Sequence, residues 1–345
     1  MGNRFAQAAR LIDQPGGRKR HVGDIPLVGG LGMFLTLVAL SPLWLNLTDD
    51  HAWLLSLLAL AVIAGALDDR YRLSAKVKLV PQGLLAIAVV YGAGLSFDNV
   101  GAILGNAPVE LGAVAVFFTL FAIVGTINTV NMSDGLDGLA GGYMAIAFSA
   151  LLYIAIQSDR TGDAQFLATL LGSLAGFLHL NMRTPWRPGA LVFMGDSGSM
   201  MLGLALAWSV LSLSSGPDAA MSPVVGALIF ALPMYDILTT LSRRLFSGNH
   251  PFRADRRHVH YLLRDSGMST GRVVSSLHGT SLLITLLAVA GWHFGWPDNL
   301  LFLVFILLFI FHLGFICIAR KGCRDGLVSL NSVAATDKHS EVANQ

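Results

Sequence analysis

Charge is scarce in this chain. Asp, Glu, Lys and Arg make up 13% of its 345 residues, where a soluble domain carries about 25%. Polar stretches between the apolar runs are too short to fold as a soluble domain, so none is expected. Cysteine is nearly absent. Cys317 and Cys323 lie at or beyond the end of the last apolar run, and two thiols make neither a disulfide framework nor a zinc cage. Residues 1–26 are polar and basic, so no cleavable signal peptide is expected. The net charge of +2 is no footprint for nucleic acid.

Apolar sequence dominates. Hydrophobic residues are 54% of the chain and mean hydropathy is +0.63. Apolar runs recur along nearly the whole length, and about 17–25 such residues span the hydrocarbon of a bilayer as a helix. We read them at 27–47, 52–67, 77–96, 110–130, 138–157, 164–181, 198–214, 222–242, 275–294 and 299–319. The expected fold class is therefore all-α, a polytopic integral membrane helical bundle of about ten transmembrane helices. Residues 1–26 form a basic leading segment, 27–319 one transmembrane domain, and 320–345 a polar, mobile tail. The run 97–109, with its Gly-Asn turn, suggests a small β-hairpin on the outer surface.

An even number of spans places both termini on one side. Of the 23 Lys and Arg residues, all but Arg160 then fall on that side. The positive-inside rule makes it cytoplasmic. The motif-bearing loops, 68–76, 131–137, 182–197 and 243–274, share that face.

Asp68 and Asp69 end the second span. Adjacent carboxylates at a membrane face are costly unless hydrated, paired or bound to a cation; pairing with Arg70 and Arg72 would satisfy them structurally. Residues 128–142 read NTVNMSDGLDGLAGG, placing Asn131, Asp134 and Asp137 at spacing three, one face if the segment is helical. Asp196 in FMGDSGS would complete an anionic cluster, and Phe193 beside it could stack on a base. The longest cytoplasmic loop concentrates Arg253, Arg256, Arg257, His258 and His260, a set suited to phosphate oxygens or to an anionic lipid surface. Asp236, inside a span, is a candidate by its position, with Arg243 as a structural partner. Carboxylates plus Asn suit Mg²⁺, and Arg plus His suit phosphates. Together they are equipment for phosphoryl transfer at a membrane surface.

Five strings, RKRHVGDIPLVGG, LDDRYRLSAKVK, NTVNMSDGLDGLAGG, FMGDSGS and PFRADRRHVHYLL, occur in an order that resembles the polyprenyl-phosphate N-acetylhexosamine-1-phosphate transferase family over about residues 11–265. The DRRHVH string is similar to the branch using UDP-GlcNAc and undecaprenyl phosphate; the peptidoglycan branch, acting on UDP-MurNAc-pentapeptide, typically shows a three-histidine run. The resemblance implies that the lipid phosphate attacks the β-phosphate of the UDP-sugar and releases UMP. It implies Mg²⁺, with Mn²⁺ as a substitute, held by Asp196 with Asn131. Asp68 and Asp69 would line the catalytic centre, one of them deprotonating or positioning the lipid phosphate, and which one stays open. Asp137 would hydrogen-bond the uracil and Phe193 stack on it, with Asp134 also at the substrate. Arg253, Arg256, Arg257, His258 and His260 would engage the diphosphate or the sugar. Implied partners are UDP-GlcNAc, undecaprenyl phosphate and the bilayer, with a homodimer left open. Members of that family usually open with a further helix ahead of RKRH, where this sequence has MGNRFAQAARLIDQ. The rival class is a secondary transporter or lipid flippase, which should carry ionisable groups near the bilayer midplane.

Overall fold

The computed structural model describes residues 2–14, 23–44, 49–246 and 258–319. The tail 320–345 and Arg253, Arg256 and Arg257 lie outside the described residues.

Every predicted apolar run folds as helix. In chain order these are α2 (Gly29–Trp44), α3 (Asp49–Tyr71), α4 (Ala75–Gly92), α5 (Ala115–Ser133), α6 (Leu139–Gln157), α7 (Thr161–Asn181), α8 (Gly195–Ser214), the pair α9 (Pro223–Ile229) and α10 (Ala231–Phe246), α12 (Thr270–His293) and α13 (Asp298–Ala319). A short α1 (Gly2–Ala9) precedes them, and α11 (Val259–Asp265) precedes α12. The protein is thus a polytopic helical membrane protein. Among the described residues, seven helices are individually long and apolar enough to cross, or eight if the bent pair is one span. The apolar part of α2 is short, ending at Pro42, and α7 carries Asp163, Gln165, His179 and Asn181.

The expected single span at 222–242 is two helices meeting at 83°. Pro233 explains the break. It has no N–H to give the carbonyl of Ile229 and its ring crowds that carbonyl, yet it is tolerated in the first turn of α10. The orphaned Ile229 carbonyl accepts instead from the Thr285 hydroxyl of α12 at 3.1 Å. Replacing Thr285 by the near-isosteric valine leaves that carbonyl unpaired in apolar surroundings. We expect a loss of about 1–2 kcal/mol, read as a lower unfolding temperature in detergent; an unchanged temperature would show that the hydroxyl does not hold the bend.

α8 is the axis of the bundle and is almost entirely buried. Around it pack α2, α3, α5 and α6. Small residues allow the closest crossing, since apolar lipid tails leave van der Waals packing as a main force between helices. At Gly65 of α3, an added Cβ would land on the backbone of Asp196 and Ser197. That approach brings the carboxylate end of α3 to the start of α8.

The polar leading segment is structured where it is described. Two residue pairs, Ile12–Asp13 (β1) and Ile25–Pro26 (β2), form a minimal antiparallel sheet, Ile12 opposite Pro26 and Asp13 opposite Ile25. The chain beyond β2 is stitched to the FMGD string: Phe193 N donates to the Pro26 carbonyl at 2.9 Å, and Gly29 N donates to the Phe193 carbonyl at 3.0 Å. At the far end of the bundle, the hairpin expected at 97–109 exists in reduced form. One isolated bridge pairs Asn99 with Glu110, flanked by Val109 N to Gly101 O at 3.0 Å and Leu111 N to Asp98 O at 2.8 Å. Asp298 fastens it by accepting from Ala102 N at 2.9 Å. Arg160 works as a tie. It pairs with Asp163 at 3.0 Å and donates to the carbonyls of Ser212 and Asp218.

Candidate active site

Asp68 and Asp69 form the last turns of α3, and the helix stops where Arg72 turns left-handed (φ 52°). Their surroundings differ. Asp69 reaches across to α8, and its two oxygens accept from Asp196 N at 2.8 Å and Ser197 N at 3.2 Å. Helix N-termini leave backbone N–H groups without partners, and here the cap comes from a different helix. Gly195 makes room for it: its φ is +72°, and an added Cβ would collide with Asp69 Oδ2. Asp68 is buried, accepts from Leu73 N at 2.9 Å, and is ion-paired to the Lys78 ammonium.

Lys78 also lies 3.0 Å from Asp196 Oδ2, so one cation bridges two carboxylates. The remaining Asp196 oxygen accepts from the Asn131 amide, which donates as well to Ser199 Oγ at 2.9 Å. Asp68, Asp69, Asp196 and Asn131 therefore converge as expected, but the partner of the carboxylates is Lys78, not Arg70 or Arg72. Arg70 instead lies over the Tyr71 ring at 5.3 Å. Sequence reasoning counted Lys78 only as a topological charge. The signal was its position inside the apolar run 77–96, where a lysine needs a partner. One helix turn further along α4, Gln82 accepts from Asn128 of α5 at 2.7 Å and ties the two helices together.

The three-residue spacing of Asn131, Asp134 and Asp137 does not give one helical face. α5 ends at Ser133, and Gly138 enters α6 from a left-handed conformation (φ 81°). Only Asn131 is helical. Asp134 is open to solvent on one side. Crowding by protein, then the carboxylates of Asp196, Asp69 and Asp137, push its pKa up from the usual range; the open side to water moderates the effect. Asp137 pairs with Arg183 at 2.8 Å. Phe193 sits in the strand-like stitch beside β2.

The histidines make a second cluster. His258 Nδ1 donates to Asp236 Oδ2 at 2.9 Å, and Asp236 Oδ1 accepts from Val259 N at 2.9 Å. Asp236 is therefore partnered by His258. With the carboxylate on Nδ1, the His258 ring is oriented and its tautomer set. His260 stacks parallel to His258, ring centroids 5.8 Å apart, and its Nε2 presses against Gly135. Burial pushes the His260 imidazole down to about 4, against the pull of Asp236, so it is neutral at pH 7. The loop 134–137 thus joins the histidine cluster to the carboxylate cluster at one end of the bundle.

Among the described residues no three of His, Cys, Asp or Glu form a ready metal cage. The donor set nevertheless fits Mg²⁺, which keeps waters and takes one or two carboxylates plus substrate phosphates. Asp196 is partly exposed, Asp68 brings a second carboxylate to the same lysine, and the two already draw in one cation.

The sequence matches the model of glycosyl transferase family 4 over residues 51–214. It is 34% identical to the undecaprenyl-phosphate alpha-N-acetylglucosaminyl 1-phosphate transferase of Yersinia pestis, over 90% of this chain and 84% of that protein. The protein of the same name from Escherichia coli K12 is 32% identical, with 93% and 87% covered. That of Haemophilus influenzae is 33% identical, with 88% and 85% covered.

Proposed function

The chain belongs to glycosyl transferase family 4, and from that premise we propose that it transfers N-acetylglucosamine-1-phosphate from UDP-GlcNAc to undecaprenyl phosphate, releasing UMP. The product is the first lipid-linked intermediate of a cell-surface polysaccharide. The observation that carries the reading is the named transferase relatives aligned over about nine-tenths of the chain, together with the carboxylate and histidine clusters at one end of its membrane bundle.

In the reaction an oxygen of the lipid phosphate attacks the β-phosphorus of UDP-GlcNAc. The bond from that phosphorus to the bridging oxygen breaks, and UMP leaves with the electron pair. Phosphoryl transfer needs in-line positioning and charge neutralisation more than a special nucleophile. Mg²⁺ held by Asp196 and Asn131 would supply that neutralisation. Lys78 contributes a second positive charge beside Asp68 and Asp196. Both Asp69 oxygens are engaged by the backbone of α8, so we assign Asp69 as a positioning residue. Asp68, whose oxygens hold Leu73 N and the Lys78 ammonium, positions Lys78 beside the lipid phosphate. His258, oriented by Asp236, and His260 face the diphosphate or sugar, assisted by Arg253, Arg256 and Arg257. Asp137 reads the uracil N3–H, a donor suited to a carboxylate, and Phe193 stacks on the ring. The charge asymmetry of the loops supports an inner-membrane location with this end in the cytoplasm, where UDP-sugars are available.

The test uses purified protein with UDP-GlcNAc, undecaprenyl phosphate and Mg²⁺, and follows UMP. Release is expected with UDP-GlcNAc and not with UDP-MurNAc-pentapeptide. A folded preparation that yields no UMP from any UDP-N-acetylhexosamine would sink the transferase reading.

A further inference from the structure

The geometry points to Arg183 as a specificity-determining residue that reads the uracil edge jointly with Asp137; this rests on the assignment of Asp137 to the base. Asp137 Oδ2 accepts twice, from Arg183 Nε at 2.8 Å and from Ala190 N at 3.3 Å. Both bonds fall on one oxygen, which leaves Oδ1 as the acceptor for an incoming donor. The two terminal nitrogens of Arg183 take no part in that contact, and the side chain is 43% exposed. The pair therefore presents an acceptor beside a fork of donors. Uracil offers the complement: N3–H, a donor, flanked by the O2 and O4 acceptors. A base held in the same register with an acceptor at N3, such as cytosine, sets lone pair against lone pair.

Charge argues for a base over a phosphate at this spot. A guanidinium already paired to a carboxylate gives directional N–H bonds with little net charge. As a mere staple, a pair with its guanidinium this exposed would contribute little to stability. The loop does not need it either. Asn181 accepts from Gly138 N at 2.7 Å and donates to the Val192 carbonyl at 2.8 Å. Arg187 donates to the carbonyls of His179 and Met182. These bonds fix the segment 182–193 against the start of α6. The same segment delivers Phe193, so Arg183 at the edge and Phe193 at the face of the base would come from one loop.

The full-length protein in detergent is titrated with UMP, N3-methyl-UMP and CMP, and KM for UDP-GlcNAc is measured in parallel. Wild type should bind UMP about tenfold or more tighter than N3-methyl-UMP, the worth of one charge-assisted hydrogen bond. Arg183→Met should lose about tenfold or more in UMP affinity. KM for UDP-GlcNAc should rise in step, more than kcat falls, and the preference over CMP should narrow. Arg183→Lys keeps the charge but not the fork, so it should recover little of the affinity; if the Met variant does not fold, this variant decides alone. Trp186→Ala, on the same loop with its ring 90% exposed, should keep wild-type affinity. Unchanged UMP binding in Arg183→Met, full recovery with lysine, or an equal loss in Trp186→Ala would each overturn the inference. A wild type blind to N3-methylation would overturn it through Asp137, while continued UMP release from UDP-GlcNAc would leave the transferase reading standing.

Discussion

Asp196→Asn should reduce UMP release by about a thousandfold or more while the bundle stays folded. The carboxylate of Asp196 has one oxygen on the Lys78 ammonium and the other on the Asn131 amide. Both neighbours are donors. An asparagine can turn its oxygen to only one of them, and its own NH₂ then faces the other, donor against donor. The negative charge that would hold Mg²⁺ is gone as well. The fold should survive because the first turn of α8 is capped by Asp69, not by the Asp196 side chain. The measurement is UMP release at saturating substrates, with unfolding temperature in detergent as the control. Turnover within tenfold of wild type would remove Asp196 from the metal role.

Gly65→Val should be nearly as damaging to activity, by a different route. Gly65 lies where α3 crosses α8, and any Cβ there meets backbone atoms of Asp196 and Ser197. Backbone cannot rotate away as a flexible side chain can, so the helices must part. Parting them draws Asp68 and Asp69 off the start of α8, breaking the cap and the carboxylate cluster together. A destabilisation of about 2–4 kcal/mol is expected, with at least about a hundredfold loss of turnover. Gly83→Ala is the matched control. No atom lies within 4 Å of its added Cβ, and alanine is the better helix former by about 0.8–1 kcal/mol. Equal tolerance of both substitutions would show that the α3–α8 crossing is not tight.

The length of the apolar runs was enough to find every long helix among the described residues, because a bilayer penalises unpaired backbone so heavily that few alternatives exist. They did not reveal that 222–242 bends at Pro233, since an apolar run reads alike whether straight or broken. The carboxylates of the site were legible because an aspartate at a membrane face is expensive and hence informative. Their partners were not. Arg70 and Arg72 are adjacent in sequence to Asp68 and Asp69, whereas Lys78 is delivered by the start of α4. In the same way Asp236 and His258 are 22 residues apart, and only the return of the chain from α10 to α11 makes them neighbours. The spacing of Asn131, Asp134 and Asp137 misled for a local reason: the glycines that follow end the helix before the pattern is complete. Arg183 left no trace, because an arginine in a short basic loop looks like one more topological charge.

The cap that Asp69 places on α8 has an electrostatic consequence. The start of an α-helix carries roughly half a positive elementary charge from its aligned peptide dipoles, and many phosphate-binding proteins aim that end at their substrate. In this protein the end of α8 is already satisfied by a carboxylate, at 2.8 and 3.2 Å. Its field is spent in joining two helices, so it can offer little to a diphosphate. Positive charge at this centre then comes from groups other than the helix end, Lys78 first among them. The helix that centres the bundle acts on the substrate chiefly by holding other charges in place.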